Sequence, residues 1–173
     1  MPHIAISQES DLNVKRKRRY FGGIDDIKEK DARIAELEAM EEENIKLKER
    51  IAQFSATEET LNKAQKFIFL EYFIIEPGYM WHSILAILKK KVSEGVEVKV
   101  LYDSLGSITL SSSTYERFLS ALGIQTKIFL PFVPIFNTGL NNRDHKKILN
   151  IDGKVAYTGG INISDEYINN LCL

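Results

Sequence analysis

Near the end of the chain, six positions at fixed intervals carry residue types suited to phosphodiester chemistry. His145 is followed by Lys147, then by Asp152, and then by the string Gly159-Gly160-Ile161-Asn162. Alternate side chains on a β-strand share a face, so His145 and Lys147 are predicted to project to the same side. The pair presents an imidazole nucleophile beside a fixed positive charge, and the Asn162 amide can donate to a second phosphate oxygen. Gly159 and Gly160 let the backbone approach a ligand closely. Nothing in the set calls for a metal or a cofactor. A lone strand histidine is most often structural; the ordered set is what gives His145 its weight.

The elements that must position these residues follow from the hydrophobic pattern. Asp152-Gly153 is flanked by the segments 145–151 and 154–157, a strong signal for a hairpin turn. Upstream, residues 66–75 read as a strand ended by Glu76-Pro77-Gly78. Trp81, Ile84, Leu85, Leu88 and Val92 recur at helical spacing, with Gly95 at the expected stop. Val96, Val98 and Val100 form a second strand running to Asp103. Residues 114–122 read as a helix closed by Gly123, and residues 124–130 as a third strand. This order predicts an α/β fold, a mixed sheet flanked by helices. Such sheets place ligands at the carboxyl ends of their strands, where Glu71, Asp103 and the loop over 131–144 would lie.

Three segments are expected: a basic, disordered tail over 1–23, a long helix over 24–56, and a compact domain over 57–173 that opens with a short helix through Leu61 and Ala64. The tail carries Lys15-Arg16-Lys17-Arg18-Arg19, which could sit on an anionic membrane at about 1 kcal/mol per charge. Residues 24–54 contain neither Gly nor Pro and favour helix throughout. Leu37, Asn44 and Ile51 fit the a positions of a coiled coil, and Met40, Leu47 and Phe54 the d positions. A helix lying on its own domain fits the same pattern, and both readings stay open.

Composition removes several classes. The net charge of −1 gives no reason to expect a nucleic-acid partner. A single cysteine, Cys172, excludes an intrachain disulfide and a cysteine metal cluster. His3 and His82 suggest no metal site, and Ser111-Ser112-Ser113 reads as a helix cap. No apolar run reaches the roughly 20 residues that span a bilayer, so the expected location is cytoplasmic or peripheral at the inner face of the cell membrane. The apolar loop over 130–140 fits either a lipid-dipping or a packed segment.

The H-x-K-x4-D motif followed by G-G-x-N resembles the phospholipase D superfamily. The strings Phe69-Leu70-Glu71-Tyr72-Phe73-Ile74-Ile75, Glu94-Gly95-Val96-Glu97-Val98, Leu101-Tyr102-Asp103, Asn142-Arg143-Asp144-His145 and Thr158-Gly159-Gly160-Ile161-Asn162 together resemble bacterial cardiolipin synthase, in the first of its two catalytic halves. The resemblance covers residues 61–169. It implies a phospholipase-D-like fold and phosphatidyl transfer between phosphatidylglycerol molecules through a phosphohistidine. His145 would be the nucleophile or its acid partner, Lys147 and Asn162, with Gly159 and Gly160, would hold phosphate, and Asp152 would complete the catalytic motif by supporting its structure. Enzymes of this kind carry spanning helices and a second copy of the motif; here neither is present. Asn150 stands where an apolar residue is expected.

A single motif poses a chemical problem. Attack needs a neutral imidazole while alkoxide departure needs a proton donor at the same moment, and one histidine cannot serve both. A homodimer or a separate second half is therefore the expected partner. Two other readings stand beside this one: an inactive truncated fragment acting through its membrane-surface and coiled-coil segments, and a dimeric single-motif phosphodiesterase or nuclease.

Overall fold

The computed structural model describes residues 3–131 and 143–168, with side chains described at Gly23 and from residue 25 onward. The loop over 130–140 falls almost wholly outside these residues, as does Cys172, and the side chains of the basic block at 15–19 are not among those described.

The chain divides into two compact units, residues 1–46 and 47–173. The first helix, α1 (His3–Asn62), is continuous. It takes in the segments expected as a tail, as the long helix and as a short helix before the first strand. Gly22-Gly23 therefore does not end it. A glycine costs about 1 kcal/mol in a helix interior, a cost that a long run of strong helix formers on the C-terminal side can carry. In the first unit the described side chains are exposed, with ion pairs one turn apart such as Lys46–Glu42 at 2.6 Å. Leu37, Met40 and Asn44 are exposed there. Phe54, expected at the last seam position, is instead buried in the second unit's own core. Its ring meets Tyr79 edge-on at 6.4 Å, so the domain takes the contact that the heptad pattern assigned to a partner.

In the second unit, β1 (Phe67–Tyr72), α2 (Tyr79–Ser93), β2 (Glu97–Asp103), α3 (Ser113–Ala121), β3 (Gln125–Phe129), β4 (Lys147–Ile151) and β5 (Val155–Thr158) follow in turn. Among the described residues they form a five-stranded sheet in the order β3-β2-β1-β4-β5. The first three strands are parallel, and β4 and β5 add antiparallel pairs. The mixed α/β sheet is the one the sequence pattern predicts.

Alternation along the strands buries Ile68, Leu70, Val98, Val100, Leu149 and Ile151 with the α2 stripe Trp81, Ile84, Leu85 and Leu88. Each such large apolar side chain contributes about 1.5–3 kcal/mol when fully buried. α2 ends as its sequence requires: Gly95 adopts φ 88° and the Val96 amide donates to the Lys91 carbonyl at 3.0 Å, closing a Schellman turn. Ser112 caps α3 by accepting from the Tyr115 amide at 3.1 Å. Asn150, out of pattern as an apolar position, lies between the buried Leu149 and Ile151 and is only half-buried. Its side-chain oxygen accepts from the Gly153 amide at 3.1 Å, so it serves the hairpin turn rather than the core.

Candidate active site

The β4–β5 hairpin is built around Asp152 and Gly153, both at positive φ, 58° and 68°. The Lys154 amide closes the turn on the Ile151 carbonyl at 3.0 Å. Two consecutive left-handed residues match the right-handed twist of the flanking strands, which is why Asp-Gly is favoured there. The turn also places the Asp152 carboxylate against the start of β1, where it accepts from the amides of Gln65, Lys66 and Phe67 at 2.9, 2.7 and 3.0 Å. Burial pushes its pKa up, but these three amides together outweigh that and leave it below the usual carboxylate value. Asp152 thus sits at the opposite end of β4 from His145. Its carboxylate is engaged by the start of β1, remote from the other motif residues.

At the near end of β4, Lys147 pairs with Tyr72, the last residue of β1. The approach is pinned from two sides. Asp103, almost fully buried at the end of β2, accepts from Arg143 at 3.3 Å and from the Asp144 amide at 3.3 Å. Lys146 meets Glu71 at 2.8 Å. Glu71 and Asp103 therefore lie at the carboxyl ends of the strands, as the topology argument predicts, and there they hold the segment that delivers His145.

His145 is exposed and Lys147 is buried, and the two meet. The Lys147 ammonium lies 3.1 Å from His145 Nδ1 and 3.2 Å from Nε2, and also donates to the His145 carbonyl at 3.2 Å. The imidazole rests on Phe73, ring centroids 4.7 Å apart, and Lys147 lies over the same ring at 5.4 Å. Burial pushes the Lys147 ammonium below its ordinary pKa.

Asn162 is also buried. Its carbonyl oxygen accepts from the Ile74 amide at 3.2 Å, and its amide nitrogen donates to the Tyr167 hydroxyl at 3.1 Å. An amide nitrogen carries two hydrogens, so a second donor remains for a ligand. A methyl group added at the Cα of Gly159 or Gly160 would meet nothing within 4 Å. Among the described residues, no packing contact demands glycine at either position.

Lys147, Asn162, Gly159 and Gly160 line a cavity of about 170 Å³. His145 is not part of its wall, but Lys147 belongs to both the cavity and the imidazole contact. Tyr72 also lines the cavity, its hydroxyl pushed up to about 12 by burial.

Several supporting residues were missed in the sequence. Glu76 accepts from Ser164 at 2.6 Å, and Asp165 accepts from the Tyr79 and Met80 amides at 2.7 and 2.8 Å. Together these tie the segment after Asn162 to the start of α2. One signal was available: the residue before α2 is Gly78, which has no side chain with which to cap the helix.

Comparison with known proteins decides the family. The family described as cardiolipin synthase, PLD-like domain, matches residues 58–171. The chain belongs to this family. Relatives include an uncharacterised protein of Streptococcus mutans, 52% identical over 69% of this chain and 26% of that protein. A cardiolipin synthase of Oceanobacillus iheyensis is 40% identical over 67% of this chain and 24% of its own length. Another, from Clostridium perfringens, is 46% identical over 62% and 22%. The chain thus spans about a quarter of the length of these family members. Among solved structures, Nuc from Salmonella typhimurium, a phospholipase D family member, aligns over 65% of this chain and 66% of that one, with TM-score 0.47 and 19% identity. Among the described residues no helix is long and apolar enough to cross a membrane.

Proposed function

We propose that this chain carries one catalytic half of a phosphatidyl-transfer site acting on phosphatidylglycerol. The observation that supports this reading best is the contact between His145 and the buried Lys147, 3.1 Å apart, inside the family-matched region. In the proposed first step, a neutral His145 nitrogen attacks phosphorus. A phosphorus–nitrogen bond forms, and the bond to the departing glycerol oxygen breaks. Lys147 and the spare Asn162 hydrogen offset charge on the phosphate oxygens. The leaving alkoxide takes a proton from a second histidine. In the second step an acceptor hydroxyl gives its proton to that histidine and attacks phosphorus, releasing His145.

A two-fold homodimer would supply the second histidine by bringing the same face from each copy together, and a second catalytic half would supply it equally. The exposed Leu37 and Met40 support a pairing role for the first unit. The cations at 15–19 fit an anionic lipid surface.

The test uses purified chain with phosphatidylglycerol vesicles. Glycerol release is expected, with an acid-labile phosphorus–nitrogen signal in phosphorus NMR, and His145→Ala abolishes both. Glycerol release that persists in the variant would refute the mechanism.

A further inference from the structure

The family match begins at residue 58, yet the cavity on Lys147 and Asn162 is walled in part by residues before it. Arg50, Gln53 and Thr57, at steps of three and four along α1, share one helical face and line that cavity. Their placement is held by contacts that do not depend on a ligand. Phe54 on the same face is buried, Leu61 is fully buried one turn beyond Thr57, and Thr60 hydrogen-bonds the Tyr157 hydroxyl at 2.8 Å. Glu58 accepts from Ser83 of α2. The last turns of α1 are thus fixed against the domain, and the row they present is a rigid wall.

The chemistry of the wall is specific. Among the described residues it carries two cations, Lys147 and Arg50, and no carboxylate. Arg50 is half-buried, and its guanidinium makes no hydrogen bond or ion pair with any described residue. A guanidinium lining the same cavity as a second cation is suited to a shared anion, since its planar fork binds phosphate oxygens in pairs. Beside it, Gln53 and Thr57 offer neutral donors and acceptors suited to hydroxyls. The Thr57 hydroxyl donates to the Gln53 carbonyl at 2.8 Å and keeps its lone pairs for a ligand. A cavity of about 170 Å³ is smaller than the roughly 300–1,000 Å³ that holds drug-sized molecules and is of a size to suit a headgroup.

We infer that Arg50, Gln53 and Thr57 form a headgroup-recognition row for a polyol phosphodiester, with Arg50 the second cation on the phosphate that Lys147 holds. This deepens the proposed function by naming what reads the substrate headgroup, and it assigns that task to residues of α1 that precede the family-matched region.

Binding, measured apart from turnover, tests it. Full-length chain is titrated calorimetrically with glycerophosphoglycerol, the deacylated headgroup, and with a short single-stranded oligonucleotide. The wild type binds the diester, and Arg50→Gln weakens binding about tenfold, the loss of one charge-assisted contact. Gln53→Ala combined with Thr57→Val weakens it by a smaller factor. Lys48→Gln, which removes an exposed cation two residues from Arg50 and outside the cavity lining, binds as the wild type does. Thermal melting checks that each variant is folded. The inference is overturned if the wild type does not bind the diester, if Arg50→Gln binds it unchanged or more tightly, if Lys48→Gln loses as much, or if the oligonucleotide binds in its place. Diester binding that follows this pattern without glycerol release from vesicles would count against the transfer mechanism alone.

Discussion

Lys147 meets two opposed demands, a buried position and a positive charge beside His145. Burial disfavours the ammonium, so its pKa lies below the ordinary lysine value. The sign follows directly: the charged form that would hold phosphate is lost as pH rises through that lowered value, sooner than for a solvent-exposed lysine near about 10.4. The alkaline limb of the rate profile should therefore fall below that point, and Lys147→Arg should move it upward. A limb at the ordinary lysine value would show that Lys147 is not the group titrating.

Asp152 makes the converse case, a carboxylate whose pKa is lowered by three amides. Its contribution to stability is present in full above the unfolded carboxylate value of about 3.9 and is lost as pH falls through the lowered folded value. Asp152→Ala should cost about 1.5–3 kcal/mol at neutral pH, the range for hydrogen bonds to a charged group. It should also flatten the acid dependence of the urea midpoint below pH 4. These side chains and their order are legible in the sequence. The cavity around them is not, because residues from α1, β1, β5 and the segment after Asn162 meet only once the chain is folded.

The elements were legible to different degrees, for physical reasons. α2, β2 and α3 could be read closely, because each couples an apolar period to a local stop signal: Gly95 for α2, Ser112 and Gly123 for α3. The hairpin was equally plain, since Asp-Gly at positive φ leaves few alternatives. β1 is shorter than its apolar run implies. After Tyr72 the pairing loosens to single contacts, with the Phe73 amide on the Lys146 carbonyl and a lone bridge from Ile75 to Ile163. That pairing depends on a segment almost ninety residues away, which no local pattern encodes. The cap on α2 comes from a similar distance. Asp165→Ala should cost about 1 kcal/mol, the usual value of an N-cap, with hydrogen exchange accelerating first in the opening turn of α2. Uniform acceleration across the sheet would instead indicate a global role for Asp165.

At the scale of the whole molecule, the decisive quantity is how many copies of His145 form one site. If two copies share a site, a dimer that mixes wild type with His145→Ala is inactive, because it lacks either the nucleophile or the proton donor. After exchange at equal amounts, activity should drop to about a quarter of the all-wild-type value, following the square of the wild-type fraction. A fall to about half would mean that each chain acts alone. Replacing Leu37 and Met40 by charged residues should lower the dimer mass in light scattering without altering the melting of the second unit, because both side chains are exposed in the first unit. An unchanged mass would remove α1 from the pairing.

The sequence by itself determined the residue types of the candidate site and the α/β order of strands and helices, because each is written in local spacing: two residues between strand neighbours, three or four on a helix face, and Asp-Gly at a turn. Only the tertiary structure decided which of those residues stand together. It placed His145 against the buried Lys147 and sent Asp152 to the far end of the same strand. It kept Phe54 for the domain core and brought Arg50 to the wall of the cavity that Lys147 lines. These outcomes depend on which surfaces bury each other and which charges find partners, and burial and pairing are properties of the packed chain that a periodic pattern leaves open.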